Sequence, residues 1–218
     1  MENVEALRLA HEAVLERIAN SAERAGRDAT EVRLIAVTKT HPVETVRDAV
    51  AAGMTVLGEN RPQELSAKAS EVSGVTWCAI GRLQRNKAKE VAAWAQEFHA
   101  LDSIRLAEAL QRRLEAADRR LEVFVQVNTS GEVQKGGIAP AGAAEFLGQL
   151  ADYDRLHVRG LMTMAQNSPE EAIVRSSFVQ LRELRDTLQP DFPTATELSM
   201  GMSGDLNGQS RRAQRACG

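Results

Sequence analysis

Three groups of residues in this chain are of the types that handle carbonyl compounds and anions. The first is Lys39, which closes the segment Arg33-Leu-Ile-Ala-Val-Thr-Lys39-Thr-His-Pro42. A primary amine attacks carbonyl carbon and makes a Schiff base when it is neutral, and partial burial would favour that form. An ordinary solvated lysine just past a strand is the competing reading. The second group is Gly58-Glu59-Asn60, where the Asn60 amide could hydrogen-bond a ligand hydroxyl or simply serve a turn or helix N-cap. The third is Gly201-Met202-Ser203-Gly204. Glycines around Ser203 would let backbone N–H groups and a hydroxyl converge on an anion, although a ligand-free glycine loop fits as well. Met162, Met164, Met200 and Met202 read as core or pocket lining.

Other chemistry finds no pattern. His11, His41, His99 and His157 are scattered without a His-Glu-x-x-His spacing, so no metal site is expected. Cys78 lies inside a strand pattern and reads as a core thiol rather than a nucleophile. Neither a Gly-x-Ser-x-Gly elbow nor a Walker-type loop is present, and no residue is assigned a catalytic role. Asn128-Thr129-Ser130 matches a glycosylation acceptor only formally.

The elements that must position these groups alternate in type. Val4, Leu7, His11, Val14, Leu15 and Ile18 mark one face of an opening helix that ends near Gly26. The run 34–37 is apolar throughout, as in a strand buried on both faces; Pro42 stops it, and helical spacing resumes at Val43. Further strand patterns fall at 55–57, 75–80, 97–101, 121–127, 158–162 and 196–199. Helical patterns near 43–52, 61–72, 86–95, 103–118, 140–151 and 169–188 separate them. Such alternation predicts a parallel sheet, and an eighth step would close a TIM-type (β/α)8 barrel. A doubly wound open sheet is the competitor, weakened by the lack of Gly-x-Gly-x-x-Gly after the first strand. In a barrel the C-terminal strand ends carry function, and Lys39, Asn60, Met162 and Gly201 all fall there.

Composition narrows the field. At 218 residues and 43% hydrophobic, one core in one domain is expected. A net charge of -3 with interleaved signs gives no nucleic-acid footprint, and most charge runs read as solvated helix faces. Two cysteines, an acidic N-terminus and no long apolar stretch predict a cytoplasmic protein without a leader or membrane span.

In order along residues 3–206, several strings resemble the pyridoxal phosphate homeostasis proteins. They are Ala36-Val-Thr-Lys39-Thr, Gly58-Glu-Asn60, Ile80-Gly-Arg-Leu-Gln84-Arg-Asn-Lys87, Val127-Asn-Thr-Ser130, Lys135-x-Gly137, Arg159-Gly-Leu-Met162 and Leu198-Ser-Met-Gly-Met-Ser203. The resemblance implies one barrel like the N-terminal domain of alanine racemase, spanning 1–206, with pyridoxal 5'-phosphate held as a Schiff base on Lys39. Asn60 and Met162 would lie near the cofactor, and Gly201 and Ser203 would hold its phosphate. It further implies a monomeric carrier that serves vitamin B6 and amino/keto acid pools, with apo enzymes that use the cofactor as partners. The alternatives are an amino-acid racemase of the same fold and a cofactor-free aldolase working through Lys39. Two departures stand out. The family commonly has Trp-His-Phe-Ile-Gly where this chain has Trp77-Cys78-Ala79-Ile80-Gly81. Residues 207–218 also lack the family's closing strand pattern. One back-translation of 208–218, shifted in frame, reads Pro-Ile-Ala-Ala-Gly-Ser-Thr-Arg-Val-Arg, close to the family ending. A frameshift just after Leu206 is therefore the expectation, with 207–218 an aberrant tail and the barrel truncated before its eighth strand.

Overall fold

Among the described residues every strand but the last is followed by a helix whose apolar stripe packs on the sheet, and that repeat dictates the architecture. The computed structural model describes residues 2–166 and 168–202. In chain order they form α1 (Glu2–Arg24), β1 (Ala36–Val37), α2 (Val43–Ala51), β2 (Val56–Glu59), α3 (Pro62–Ala69), β3 (Thr76–Ala79) and α4 (Ala88–Trp94). There follow β4 (Glu97–Leu101), α5 (Ile104–Ala116), β5 (Leu121–Gln126), α6 (Ala143–Leu150), β6 (Leu156–Met162), α7 (Glu171–Leu188) and β7 (Glu197–Ser199). All seven strands pair in parallel in the order β1 to β7.

The sheet is rolled, and side-chain contacts prove it. Arg33, just before β1, bonds Glu97 of β4, and His99 of β4 bonds Ser199 of β7. Each pair lies three strands apart in sheet order, a separation of about 14 Å in a flat sheet with strands about 4.8 Å apart. Only a curled sheet brings them together, which identifies the TIM-type β/α barrel over the open alternative. Leu57, Trp77, Ala79, Phe98, Val123, Val125 and Leu198 point outward and pack under the helices in one continuous core. Gly58 and Gly160 face positions where a Cβ would meet Ile35 at 2.9 Å and the Glu197 carbonyl oxygen at 1.9 Å.

Two expectations need correction. The first strand is Ala36–Val37 rather than 34–37, and it is not buried on both faces, since Val37 is 37% exposed. Among the described strands β1 is an edge, paired only with β2. Lys68 of α3 is a buried exception among the helix charges. Residues 203–218, which include Ser203 and the 207–218 tail, lie outside the described residues, as does any eighth strand.

Candidate functional site

Because every strand runs in one direction, one rim collects all their C-terminal ends. Lys39 stands there after β1, Asn60 after β2, Asp102 after β4, Asn128 after β5, Thr163 after β6 and Gly201 after β7. Lys39 is exposed, so the burial invoked for it is absent. Its backbone, by contrast, is pinned on both sides. Thr38 donates its N–H to Gly58 O at 3.0 Å and its hydroxyl to Glu59 Oε1 at 2.6 Å. The Lys68 ammonium donates to Thr38 O at 2.8 Å and to Glu59 Oε1 at 2.6 Å. On the other flank the Thr40 N–H donates to Glu64 Oε2 at 2.9 Å, a bond that holds the Glu64 carboxyl below its usual range. Thr40 has φ +68°, a left-handed conformation costing a β-branched residue roughly 1–2 kcal/mol. The carboxylate of Glu64 offsets that strain.

The remaining rim residues divide. Asn60 is exposed, and its main chain passes so close to Gly81 that a Cβ there would lie 2.1 Å from the Asn60 carbonyl oxygen. Lys39 and Asn60 therefore occupy neighbouring strand ends. Met162 and Gly201 form a second neighbouring pair, after β6 and β7. Met162 is 7% exposed and lies in register with Gln126 and Ser199. Gly201 has φ +91°, which only glycine adopts without strain. Thr163 is not free for a ligand: its hydroxyl donates to Val127 O at 2.8 Å and meets Thr129 Oγ1 at 2.8 Å, clasping the loop after β5.

Sequence reasoning missed a polar cluster within the barrel. Glu97 accepts a bond from Arg33 Nη2 at 2.7 Å and from His99 Nε2 at 2.9 Å, with the Cys78 thiol at 3.6 Å. Burial alone would raise the Glu97 carboxyl, yet its bonds to His99 and Arg33 and the guanidinium charge hold it at about 2. A carboxylate only accepts, so His99 Nε2 carries hydrogen and Nδ1 accepts the Ser199 hydroxyl at 2.7 Å. Both ring nitrogens are thus satisfied in the neutral form, which burial also favours by lowering the His99 pKa. Stacking on Phe124, with ring centroids 4.3 Å apart, fixes the imidazole plane. Cys78, Glu97 and His99 approach one another as metal ligands would. Here the Arg33 guanidinium already fills the cation's role, and burial followed by the Glu97 charge pushes the Cys78 thiol well up. The signal in the sequence was period two: Glu97 and His99 alternate with Phe98 and Ala100.

A second feature escaped a charge count taken over the whole chain. Beside Asn60 opens a groove of about 880 Å3 whose walls carry Arg61, Arg82, Arg85, Lys87 and Arg105 against one acid, Asp102. It joins the loops after β2, β3 and β4, so an anion would be drawn to this side of the rim.

Comparison with known proteins places this geometry. The family model for the alanine racemase N-terminal domain matches residues 12–214. The pyridoxal phosphate homeostasis protein of Pseudomonas aeruginosa is 38% identical over 195 residues, covering 88% of this chain and 84% of that protein. PipY of Synechococcus elongatus PCC7942, solved with PLP bound, superposes with a TM-score of 0.77 at 34% identity, over 94% of this chain and 96% of that one. Alanine racemase of Clostridium difficile shares the fold, with a TM-score of 0.75 at 10% identity over 93% of this chain but 57% of its own.

Proposed function

We propose a function from one premise: the chain belongs to the alanine racemase N-terminal domain family, among the pyridoxal phosphate homeostasis proteins. Our reading is a protein that binds pyridoxal 5'-phosphate on Lys39 and serves its homeostasis in the cytoplasm. The observation that carries it is Lys39 itself, an exposed primary amine on the functional rim with both flanking residues pinned. The residues present fit the cofactor. When bound, pyridoxal phosphate supplies an aldehyde that condenses reversibly with amines and a ring that withdraws electrons. Lys39 offers the nucleophile, fixed in direction but open to solvent. Asn60 offers amide donors and an acceptor beside it, and Met162 an apolar contact. For the phosphate, Gly201 frees the chain to turn, and Ser203, assigned from sequence, adds a hydroxyl. The groove cations steer the anion toward this rim.

The same features favour a carrier over a catalyst. Enzymes that manage proton transfer close their sites to water and set bases on both sides of the reacting carbon. Here Lys39 is exposed to solvent. A solution of L-alanine with the loaded protein should keep its optical rotation. Loss of rotation at enzyme-like rates would favour the racemase reading. Titration of the protein with pyridoxal phosphate should produce a visible absorbance band that Lys39→Ala abolishes without altering the far-UV circular dichroism.

A further inference from the structure

We propose that Glu64 is a positioning residue for Lys39: by holding Thr40 in its left-handed conformation, it sets the direction in which the Lys39 amine leaves the rim. The inference rests on Lys39 being the anchor and goes beyond it, to what aims that anchor. Among the described residues the Lys39 side chain has no hydrogen bond or ion pair, so its course is set by the backbone on either side. Thr38 is fixed independently by Gly58, Glu59 and Lys68. Thr40 is different, because its φ of +68° is one that a threonine leaves unless something holds it. Two bonds hold it: the His41 N–H donates to Thr38 O at 3.2 Å and closes the turn through Lys39 and Thr40, and the Thr40 N–H itself donates to Glu64 of α3 at 2.9 Å.

The arrangement around Glu64 points the same way. Glu64 lies in the first turn of α3, behind Pro62, where a carboxylate is favoured by the helix end and the helix start is rigid. One turn later Lys68 sends its ammonium inward, 3.5 Å from Glu64 Oε2, although an apolar side chain would fill that space without desolvating a charge. Both flanks of Lys39 are therefore keyed to one helix face, Thr38 through Lys68 and Thr40 through Glu64. Without the Glu64 carboxylate, the long turn bond from His41 alone opposes the strain at Thr40, so Thr40 relaxes toward negative φ and the amine swings away. Glycine at position 40 would reach the same φ without a Cβ penalty, so it should compensate for a missing Glu64.

The test is reductive trapping with pyridoxal phosphate and borohydride on the full chain, following label on the Lys39 peptide for wild type, Glu64→Ala and the double variant Glu64→Ala/Thr40→Gly. Trapping in Glu64→Ala should slow about five- to thirty-fold, the population shift expected for releasing a residue held in the left-handed region. The urea midpoint should scarcely move, and the Thr40 amide of the cofactor-free protein should exchange faster with solvent. The double variant should regain most of the lost rate. An unchanged rate in Glu64→Ala would overturn the proposal. So would a double variant as slow as the single one, because the carboxylate would then act by its charge and not through Thr40. Label on a lysine other than Lys39 in the wild type would overturn instead the anchor reading beneath it.

Discussion

Lys68 is the residue at which the chain departs most from ordinary chemistry, a lysine 7% exposed at its side chain and facing a Glu59 side chain that is fully buried. Removing one partner of such a pair leaves the other charged and unsolvated, which costs about 3–5 kcal/mol. Lys68→Met should therefore lower the urea unfolding free energy by about that much. A loss under about 1 kcal/mol would mean that Glu59 finds another partner. A second residue-scale expectation concerns Ser203. Ser203→Ala should weaken pyridoxal phosphate binding by about 1.5–3 kcal/mol, the worth of a hydrogen bond to a charged group, and leave pyridoxal without its phosphate unaffected. Equal losses in parallel titrations of the two ligands would place Ser203 away from the phosphate. None of the Lys68 network was legible beforehand. A lysine, a glutamate and another glutamate near a helix start are also the composition of a solvated face, and only the packing of α3 against the ends of β1 and β2 turns them inward.

Element by element, the pattern of alternation was the readable part. Strand β4 falls at Glu97–Leu101 as the sequence predicts, where Phe98, Ala100 and Leu101 alternate with Glu97 and His99 ahead of Asp102. Strand β1 came out shorter, since its pairing extends only to Ala36 and Val37 and no periodicity can show where a ladder stops. What β4 carries inside the barrel was hidden: alternation alone does not say that Glu97 would meet Arg33, ahead of β1, or that His99 would meet Ser199 of β7. That network makes stability depend on pH in a definite sense. His99 titrates below its usual 6.5 in the folded protein and Glu97 near 2 instead of 4.5. As pH falls below 6.5 the unfolded chain takes a proton at His99 that the folded one refuses, and below 4.5 it takes another at Glu97. Stability is thus fully present above 6.5 and is lost as pH falls from there toward about 2. Urea midpoints measured across that range should decline, and His99→Gln should flatten the upper part of the decline. A wild-type midpoint that stayed level would show that the cluster is protonated alike in both states.

For the molecule as a whole, net charge and local field disagree. The chain carries -3 overall, so a count predicts weak repulsion of an anion, yet the groove beside Asn60 gathers five cations around one acid. The association rate of pyridoxal phosphate should fall steeply as salt rises, while that of pyridoxal stays nearly flat. Arg82→Gln with Arg85→Gln should remove most of that salt dependence in stopped-flow traces. Among the described residues no helix is long and apolar enough to cross a membrane. The sequence led to Lys39, Asn60, Met162 and Gly201 because parallel β/α order sends all strand ends to one rim. It could not reveal the groove, whose cations come from the segments that follow three separate strands. Everything proposed for this protein depends on Lys39 as the point of attachment, and one measurement addresses it directly. The protein, saturated with pyridoxal phosphate, is reduced with borohydride, digested and mapped by mass spectrometry. The account predicts a single pyridoxyl modification, on Lys39. A modification on Lys87 or Lys135 instead, or one spread evenly over surface lysines, would contradict it.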